Sequence, residues 1–254
     1  MLFGDVSFTV ASHAAWVPGI DSAEAWQQWV SGNLSAAGSG EPAVKAMPPM
    51  LRRRASATGK IALEAAYAAL PAHGIAEDTP VVFASRHGEC SRSVELLEEL
   101  SNGTTLSPTA FSLSVHNANA GLFSIARRAR GNSIAIAAGH STVEHAVIEA
   151  CGLLADGAPQ VLLVAADGPL PEAFEDYADC REQPFGWAWL MQAADEDGPL
   201  PTLSLQWSAA EAGQTAVPDA APGGIDVLRF FLARDRDGMV RQADGRRWHW
   251  MRHD

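Results

Sequence analysis

The sequence predicts an α/β fold, with one mixed, mostly parallel sheet flanked by helices. Two observations carry this expectation. Apolar runs of strand length at residues 79–85, 133–138 and 160–166 alternate with segments of helical length and spacing. That order builds βαβ units around a parallel sheet. The composition also suits one sizeable core: 254 residues, 47% hydrophobic and 19% charged, are enough for a large domain and too apolar for a disordered chain.

The elements follow in order. Residues 5–10 (Asp-Val-Ser-Phe-Thr-Val) alternate as a short strand. Ser22 caps a helix with Trp26, Trp29 and Val30 at helical spacing. The Gly/Ser/Pro-rich stretch 31–49 reads as a surface loop. Residues 56–70 form an alanine-rich helix, stopped before Pro71. The run 79–85 is a strand buried on both faces. Val94, Leu96, Leu97 and Leu100 mark a helix among glutamates. After Ser107-Pro108, a helix runs from near Asn117 to Arg130, with Arg127, Arg128 and Arg130 at its C-terminal end, where cations suit the helix dipole. Gly131-Asn132 turns the chain into the strand 133–138. Gly139-His140-Ser141 is a sharp corner, and the helix Thr142–Ala155 ends at Asp156-Gly157. Residues 160–166 are the next strand. Residues 186–192 and 201–207 read as two strands joined by a hairpin-like connection at 195–198. Beyond Ser208 the chain is loop-rich to Pro222, and 227–233 is a short strand or helix. The aromatic and basic tail 246–252 reads as an edge strand or a partner-contacting tail.

Lys and Arg total 18 against 30 Asp and Glu, a formal net charge of −12. Phosphate backbones repel such an anion, which excludes nucleic acid as the main partner. Three cysteines, Cys90, Cys151 and Cys180, are an odd number without close pairing and read as reduced thiols in a cytoplasm. The first basic residue is Lys45, so the N-terminus lacks the charged start of a signal peptide. No apolar run approaches the roughly 18 residues of a membrane helix. A cytoplasmic protein without a membrane span, cofactor or metal is expected.

The corner at Gly139-His140-Ser141 is the place for chemistry. A strand, a tight turn and a helix N-terminus lift a side chain clear of the sheet and favour negative charge there. Gly139-His140-Ser141-Thr142-Val143 approaches the hydrolase elbow G-x-S-x-G, but Val143 replaces the second glycine. His140 and His145 are five apart and point to different sides of the helix turn, which disfavours a metal site. The plain alternative is a strand-to-helix turn with partly exposed polar residues.

Residues 106–121 (Leu-Ser-Pro-Thr-Ala-Phe-Ser-Leu-Ser-Val-His-Asn-Ala-Asn-Ala-Gly), followed by Ile134-Ala135-Ile136-Ala137-Ala138-Gly139-His140, resemble the N-terminal half of β-ketoacyl synthases. The likeness is greatest to the short, ketosynthase-like chain length factors of aryl polyene gene clusters. Residues 49–54, 81–88 and 161–167 fall in the matching order. The resemblance implies a thiolase-like fold: a single half-length unit over 1–254, with its core in 1–207 and a C-terminal extension in 208–254. It also implies what is missing. Active members carry a cysteine where the strand meets the helix, a site at which the helix N-terminus favours the thiolate. Here that place falls on His140, with Gly139 and Ser141 as the flanking alternatives, and none is cysteine. Cys151 lies about 11 residues further on, roughly 16 Å along the helix. The family's catalytic histidines come from a second half that this chain has no room for.

The resemblance therefore implies a non-catalytic subunit that pairs with a complete β-ketoacyl synthase as a heterodimer. The expected contact is the strand Ser133, Ile134, Ala135, Ile136, Ala137, Ala138, with Asn117 and Asn119 nearby as contact or capping residues. Arg52, Arg53 and Arg54 are candidates for an acidic acyl carrier protein, with a solvated face as the plainer reading. The helix Thr142–Ala155 is expected to be single-faced, with Val143, Ala146, Val147, Ala150 and Leu154 inward and Glu144, His145 and Glu149 on the polar side, left for a partner to cover. Two other classes remain open: an acyl transferase or hydrolase using Ser141 with His140 or His145, and a small acyl-ligand binding protein.

Overall fold

The computed structural model describes residues 2–36, 38, 40–195, 198–210 and 220–253. Two helical crossovers build one end of the fold. β2 (Val81–Ala84) leads through α4 (Cys90–Ser101), α5 (Pro108–Ser112) and α6 (Ala118–Arg127) to β3 (Ser133–Ile136), and β3 leads through α7 (Thr142–Ala155) to β4 (Val161–Asp167). β2 pairs in parallel with β3 on one side and β4 on the other. Upstream lie β1 (Leu2–Trp16), α1 (Ala23–Val30), α2 (Pro49–Arg52) and α3 (Ala57–Ala68); downstream lie β5 (Phe185–Ala193), β6 (Thr202–Ala209), α8 (Gly223–Leu232), β7 (Gly238–Ala243) and β8 (Arg246–His253).

All eight strands join one sheet in the order β3-β2-β4-β5-β1-β6-β8-β7. The sheet is mixed, as expected, but antiparallel neighbours outnumber parallel ones. The parallel pairs stop at β4, where the chain returns to β5 through a short 3-10 helix, Glu172–Tyr177, instead of the α-helical crossover that parallel neighbours usually use.

β1 is the largest departure from expectation. It is a 15-residue central strand, not a short one, and it separates the two strands expected to form a hairpin. Phe8 faces Ala193 of β5 on one side and Leu203 of β6 on the other. A bulge between Val10 and Ser12 interrupts the period-2 alternation, so the pattern past Val10 does not read as strand. The expected strand or helix at 227–233 is α8, whose entry Trp187 anchors by donating from Nε1 to Gly224 O at 2.9 Å.

The sheet separates two apolar clusters. On one face Ile61, Leu63, Phe83, Phe123, Leu162, Val164 and Leu190 pack with α3 and α6. Gly59 allows these helices to meet, since a Cβ there would collide with the Asn119 amide. On the other face Val147, Leu163, Trp187, Trp189, Phe230, Trp248 and Trp250 pack around α7 and α8. Ser22, Ser56 and Ser107 cap α1, α3 and α5 through their hydroxyls.

The tail is neither an edge strand nor peripheral. β8 lies between β6 and β7, Trp248 and Trp250 are fully buried, and β7 is the edge. Laid flat, β3 and β7 would be seven spacings apart, about 34 Å at roughly 4.8 Å each. Instead the β7–β8 turn touches the corner that follows β3, so the sheet curls around α7. This overturns the expectation of a single-faced helix. Glu144 is fully buried, paired with Arg241 of β7, and accepts from Trp250 Nε1 at 3.4 Å. The chain's own C-terminal hairpin thus covers Glu144 and contacts His145, while Glu149 on the same side remains exposed.

Candidate functional site at the β3–α7 corner

Gly139 takes φ +59, a left-handed conformation that favours glycine, and a Cβ there would stand 3.0 Å from the Asp244 carboxylate. Gly139 therefore presents no side chain. Ser141 is fully buried. Its backbone N–H donates to Asp244 Oδ2 at 2.7 Å, and its hydroxyl donates to the same oxygen at 2.6 Å. A carboxylate thus already occupies the N-terminus of α7, where the helix dipole favours an anion. Thr142 closes the corner, its hydroxyl donating to Gly139 O at 2.7 Å and accepting from Ala138 N at 2.9 Å.

The two histidines diverge. His145 Nδ1 donates to the Ser141 carbonyl at 2.9 Å, leaving Nε2 to accept from Arg246 at 2.8 Å. Among the described residues no histidine bonds the Ser141 hydroxyl, which is buried and already tied to the Asp244 carboxylate, so the geometry does not favour a hydrolase using Ser141 with His140 or His145. His140 turns the other way, with Nε2 2.9 Å from Asp179 Oδ2. It lines a narrow cleft with Ala84, Arg86, Asp167 and Phe185. The cleft volume is about 10 Å³, room for at most one ordered water and none for an acyl chain.

A polar network surrounds His140. Asp167, at the end of β4, accepts from Ser85 Oγ at 2.7 Å and from the backbone N–H groups of Arg86 at 2.9 Å and His87 at 3.2 Å. Burial raises its pKa against the pull of those donors. Arg86 grips Asp179 with one nitrogen at 2.8 and 3.0 Å and reaches Cys180 Sγ with another at 3.2 Å. Partial burial works against the Asp179 charge, but Arg86 and His140 outweigh it and hold the carboxyl below its usual range. Asp179, Cys180 and Glu182 bring three metal-type donors together, yet Asp179 and Cys180 are already bonded by the Arg86 guanidinium, and Glu182 by His87 Nε2 and the Leu170 N–H, each at 2.6 Å.

None of the thiols is activated. Burial pushes Cys151 up to about 12 and raises Cys90 and Cys180 as well. A nucleophilic cysteine requires the opposite shift.

The profile of the β-ketoacyl synthase N-terminal domain matches residues 26–251. The chain belongs to that family. Among solved structures, a chain in the complex of the ketosynthase ApeO with its chain length factor ApeC from Xenorhabdus doucetiae is 25% identical. Its TM-score is 0.81, over 97% of this chain and 99% of that one, so the two are nearly equal in length. The ishigamide ketosynthase/chain length factor matches at 16% identity and TM-score 0.64, over 80% of this chain and 67% of that one. A β-ketoacyl synthase from Burkholderia phymatum STM815 matches at 12% and 0.60, over 83% and 66%. These last two show the shared fold alone, which is the thiolase-like ketosynthase fold. A comparison with curated proteins finds no significant match.

The expected interface residues of this ketosynthase-family chain divide. β3 is the sheet edge opposite β7, with Ser133 exposed and Ile134, Ala135 and Ile136 half-buried; Ala137 beyond it is exposed and Ala138 half-buried. Asn117 is exposed at the start of α6 and makes no side-chain cap. Asn119 is buried instead, donating to Glu89 Oε1 at 2.8 Å, and cannot meet a partner. Arg52 turns back to the Ala43 carbonyl at 3.2 Å, leaving Arg53 and Arg54 exposed. The residues that close the corner, Asp244, Arg241 and Arg86, carry no chemical motif. The one available signal was Asp244-Gly245 between two alternating runs, the mark of a tight hairpin turn. No helix among the described residues is long and apolar enough to cross a membrane.

Proposed function

We propose that this chain is a non-catalytic ketosynthase-like subunit, a chain length factor, that pairs with a complete β-ketoacyl synthase in polyketide biosynthesis of the aryl polyene type. The observation that carries it is the corner. Where condensation needs a thiolate, His140 lines a cleft too small for an acyl chain, and Asp244 occupies the helix N-terminus. The near full-length likeness to a chain of a ketosynthase–chain length factor complex supports the pairing. In this reading His140 holds the position of the lost nucleophile. The exposed β3 edge pairs with the synthase and is thereby hidden from aggregation. The partner supplies the chemistry and this subunit shapes the space in which the chain grows. Arg53 and Arg54 are exposed cations placed to attract an acidic acyl carrier protein, and the free cysteines suit a reducing cytoplasm.

The test is co-expression with the complete ketosynthase encoded nearest to it, followed by an elongation assay with malonyl carrier protein. The pair should co-purify and elongate, and the isolated chain should neither condense nor decarboxylate. Turnover by the isolated chain, lost on changing His140 or Ser141, overturns the reading.

A further inference from the structure

β1 has a different partner on each side, and the two pairings end at different places. It pairs with β5 from Phe8 to Trp16 but with β6 only from Leu2 to Thr9. Beyond Thr9 no strand among the described residues lies on the β6 side. The bulge between Val10 and Ser12 also reverses the faces of the residues that follow. Ser12 turns to the α3 side, its hydroxyl donating to Ala69 O at 2.6 Å. His13 turns to α8, its ring edge-on to Phe231 with centroids 4.8 Å apart. An open cavity of about 1240 Å³ lies at this fork in the sheet. It shares no lining residue with the cleft at His140.

Unmet polar groups gather at one end of this cavity. Arg252 lines it and uses Nη2 on the carbonyls of Phe230 and Phe231, at 3.2 and 2.7 Å, as a cation at the C-terminus of α8. Its Nε is buried without a hydrogen-bond partner among the described residues. Phe231 therefore brings Arg252 and His13 together, through its carbonyl and its ring. Arg234, two residues past α8, also lines the cavity, and no carboxylate among the described residues forms an ion pair with it. Partial burial, and then the Arg234 charge, lower the His13 pKa, so at neutral pH its ring offers an N–H without a charge of its own. Farther along, Ser204 and His253 satisfy each other at 2.8 Å. Asp5, the one carboxylate of the lining, lies eight residues from His13 along β1, roughly 25 Å at about 3.3 Å per residue.

We propose that the fork binds a small amphiphilic carboxylate, with its anionic group held by His13, Arg234 and Arg252 and its hydrocarbon part against Val10, Phe231 and Leu232. Cations and an N–H donor without an anion to meet them, beside an apolar wall, are the complement of such a ligand. The site stands apart from the β3 edge and the corner, so it does not rest on the pairing proposed above.

The test titrates the full chain by calorimetry with sodium octanoate and with uncharged 1-octanol, both below the concentration at which they aggregate, and follows the histidine ring signals by NMR. Wild type should bind octanoate at one saturable site and 1-octanol at least about tenfold more weakly. Octanoate should shift the His13 signal, assigned by its loss in His13→Gln. Arg234→Gln should bind octanoate about tenfold more weakly. Arg130→Gln removes the same charge from an exposed position outside the cavity and should bind as wild type. Arg234 and Arg130 are both exposed, so unchanged thermal melting is the folding control. Absence of saturable octanoate binding overturns the site. Equal affinity for octanol and octanoate overturns the anionic end. Wild-type affinity in Arg234→Gln places the ligand elsewhere, and an equal loss in Arg130→Gln reduces the effect to net charge; either result overturns the proposal.

Discussion

Asp244 and Ser141 are held together by two hydrogen bonds to one carboxylate oxygen, at 2.6 Å from the serine hydroxyl and 2.7 Å from its backbone nitrogen. One residue belongs to the turn between β7 and β8, and the other precedes α7 next to the opposite end of the sheet order. The pair closes the sheet around α7 and fills the helix N-terminus with an internal anion.

Asp244→Ala should therefore cost about 1–3 kcal/mol of unfolding free energy, because it leaves the buried Ser141 N–H and hydroxyl without their charged acceptor. Asp244→Asn keeps an acceptor oxygen and tolerates the left-handed backbone, so it should lose less than half as much. Urea titration checks both, and an Ala variant as stable as wild type would show the latch to be idle.

Arg241→Met should be more severe. It strands fully buried Glu144 without its partner, a loss of about 3–5 kcal/mol. Changing Glu144→Met as well removes the stranded charge, and the double variant should recover most of the loss. Equal instability of the single and double variants would argue against an uncompensated charge as the cause.

Asp167 gives a pH dependence of defined sign. Burial raises its carboxyl pKa in the folded chain above the ordinary 3.8. Folding then takes up a proton in the window from about pH 4 upward, and this group's contribution to stability declines as pH rises through it. Asp167→Asn should remove that contribution, so its urea midpoint should change less than that of wild type between pH 4.5 and 7. Identical profiles would remove Asp167 from the account.

The thiols and the corner can be read by mass spectrometry. With Cys151 pushed up to about 12 and Cys90 and Cys180 also raised, native protein should alkylate slowly with iodoacetamide at pH 8. His140→Cys places a thiol beside the helix N-terminus and should add one faster-labelling site. It should still form no carbon–carbon bond alone, because condensation needs oxyanion donors placed around a bound acyl chain, typically worth about 10²–10³ in rate each, and a cleft of about 10 Å³ has no room for that chain. Product from the isolated variant would end the half-enzyme reading.

Ile136→Lys puts an unpaired charge at the proposed strand contact, where burying it costs several kcal/mol. Co-purification with the ketosynthase should be lost. Full recovery of the complex would locate the interface elsewhere.

Much of the fold could be read along the chain, because short-range physics writes itself locally. The periodicity of α7 placed both of its ends, the apolar runs marked β2 and β4, and Ser22 announced its helix as a cap. The absence of cysteine from residues 139–141 was equally plain, since a missing thiol is a matter of residue identity. Glu144 looked like a solvent-facing glutamate for the same local reason. Pairing across long separations was not legible. That β1 lies between β5 and β6, that Arg241 neutralises Glu144, and that Asp244 caps α7 are contacts between segments as far apart as Leu2 and Ser208. Strand alternation says which face is apolar but not which neighbour will be chosen. That choice was made only when the whole sheet closed around α7 and each buried charge had to find its partner.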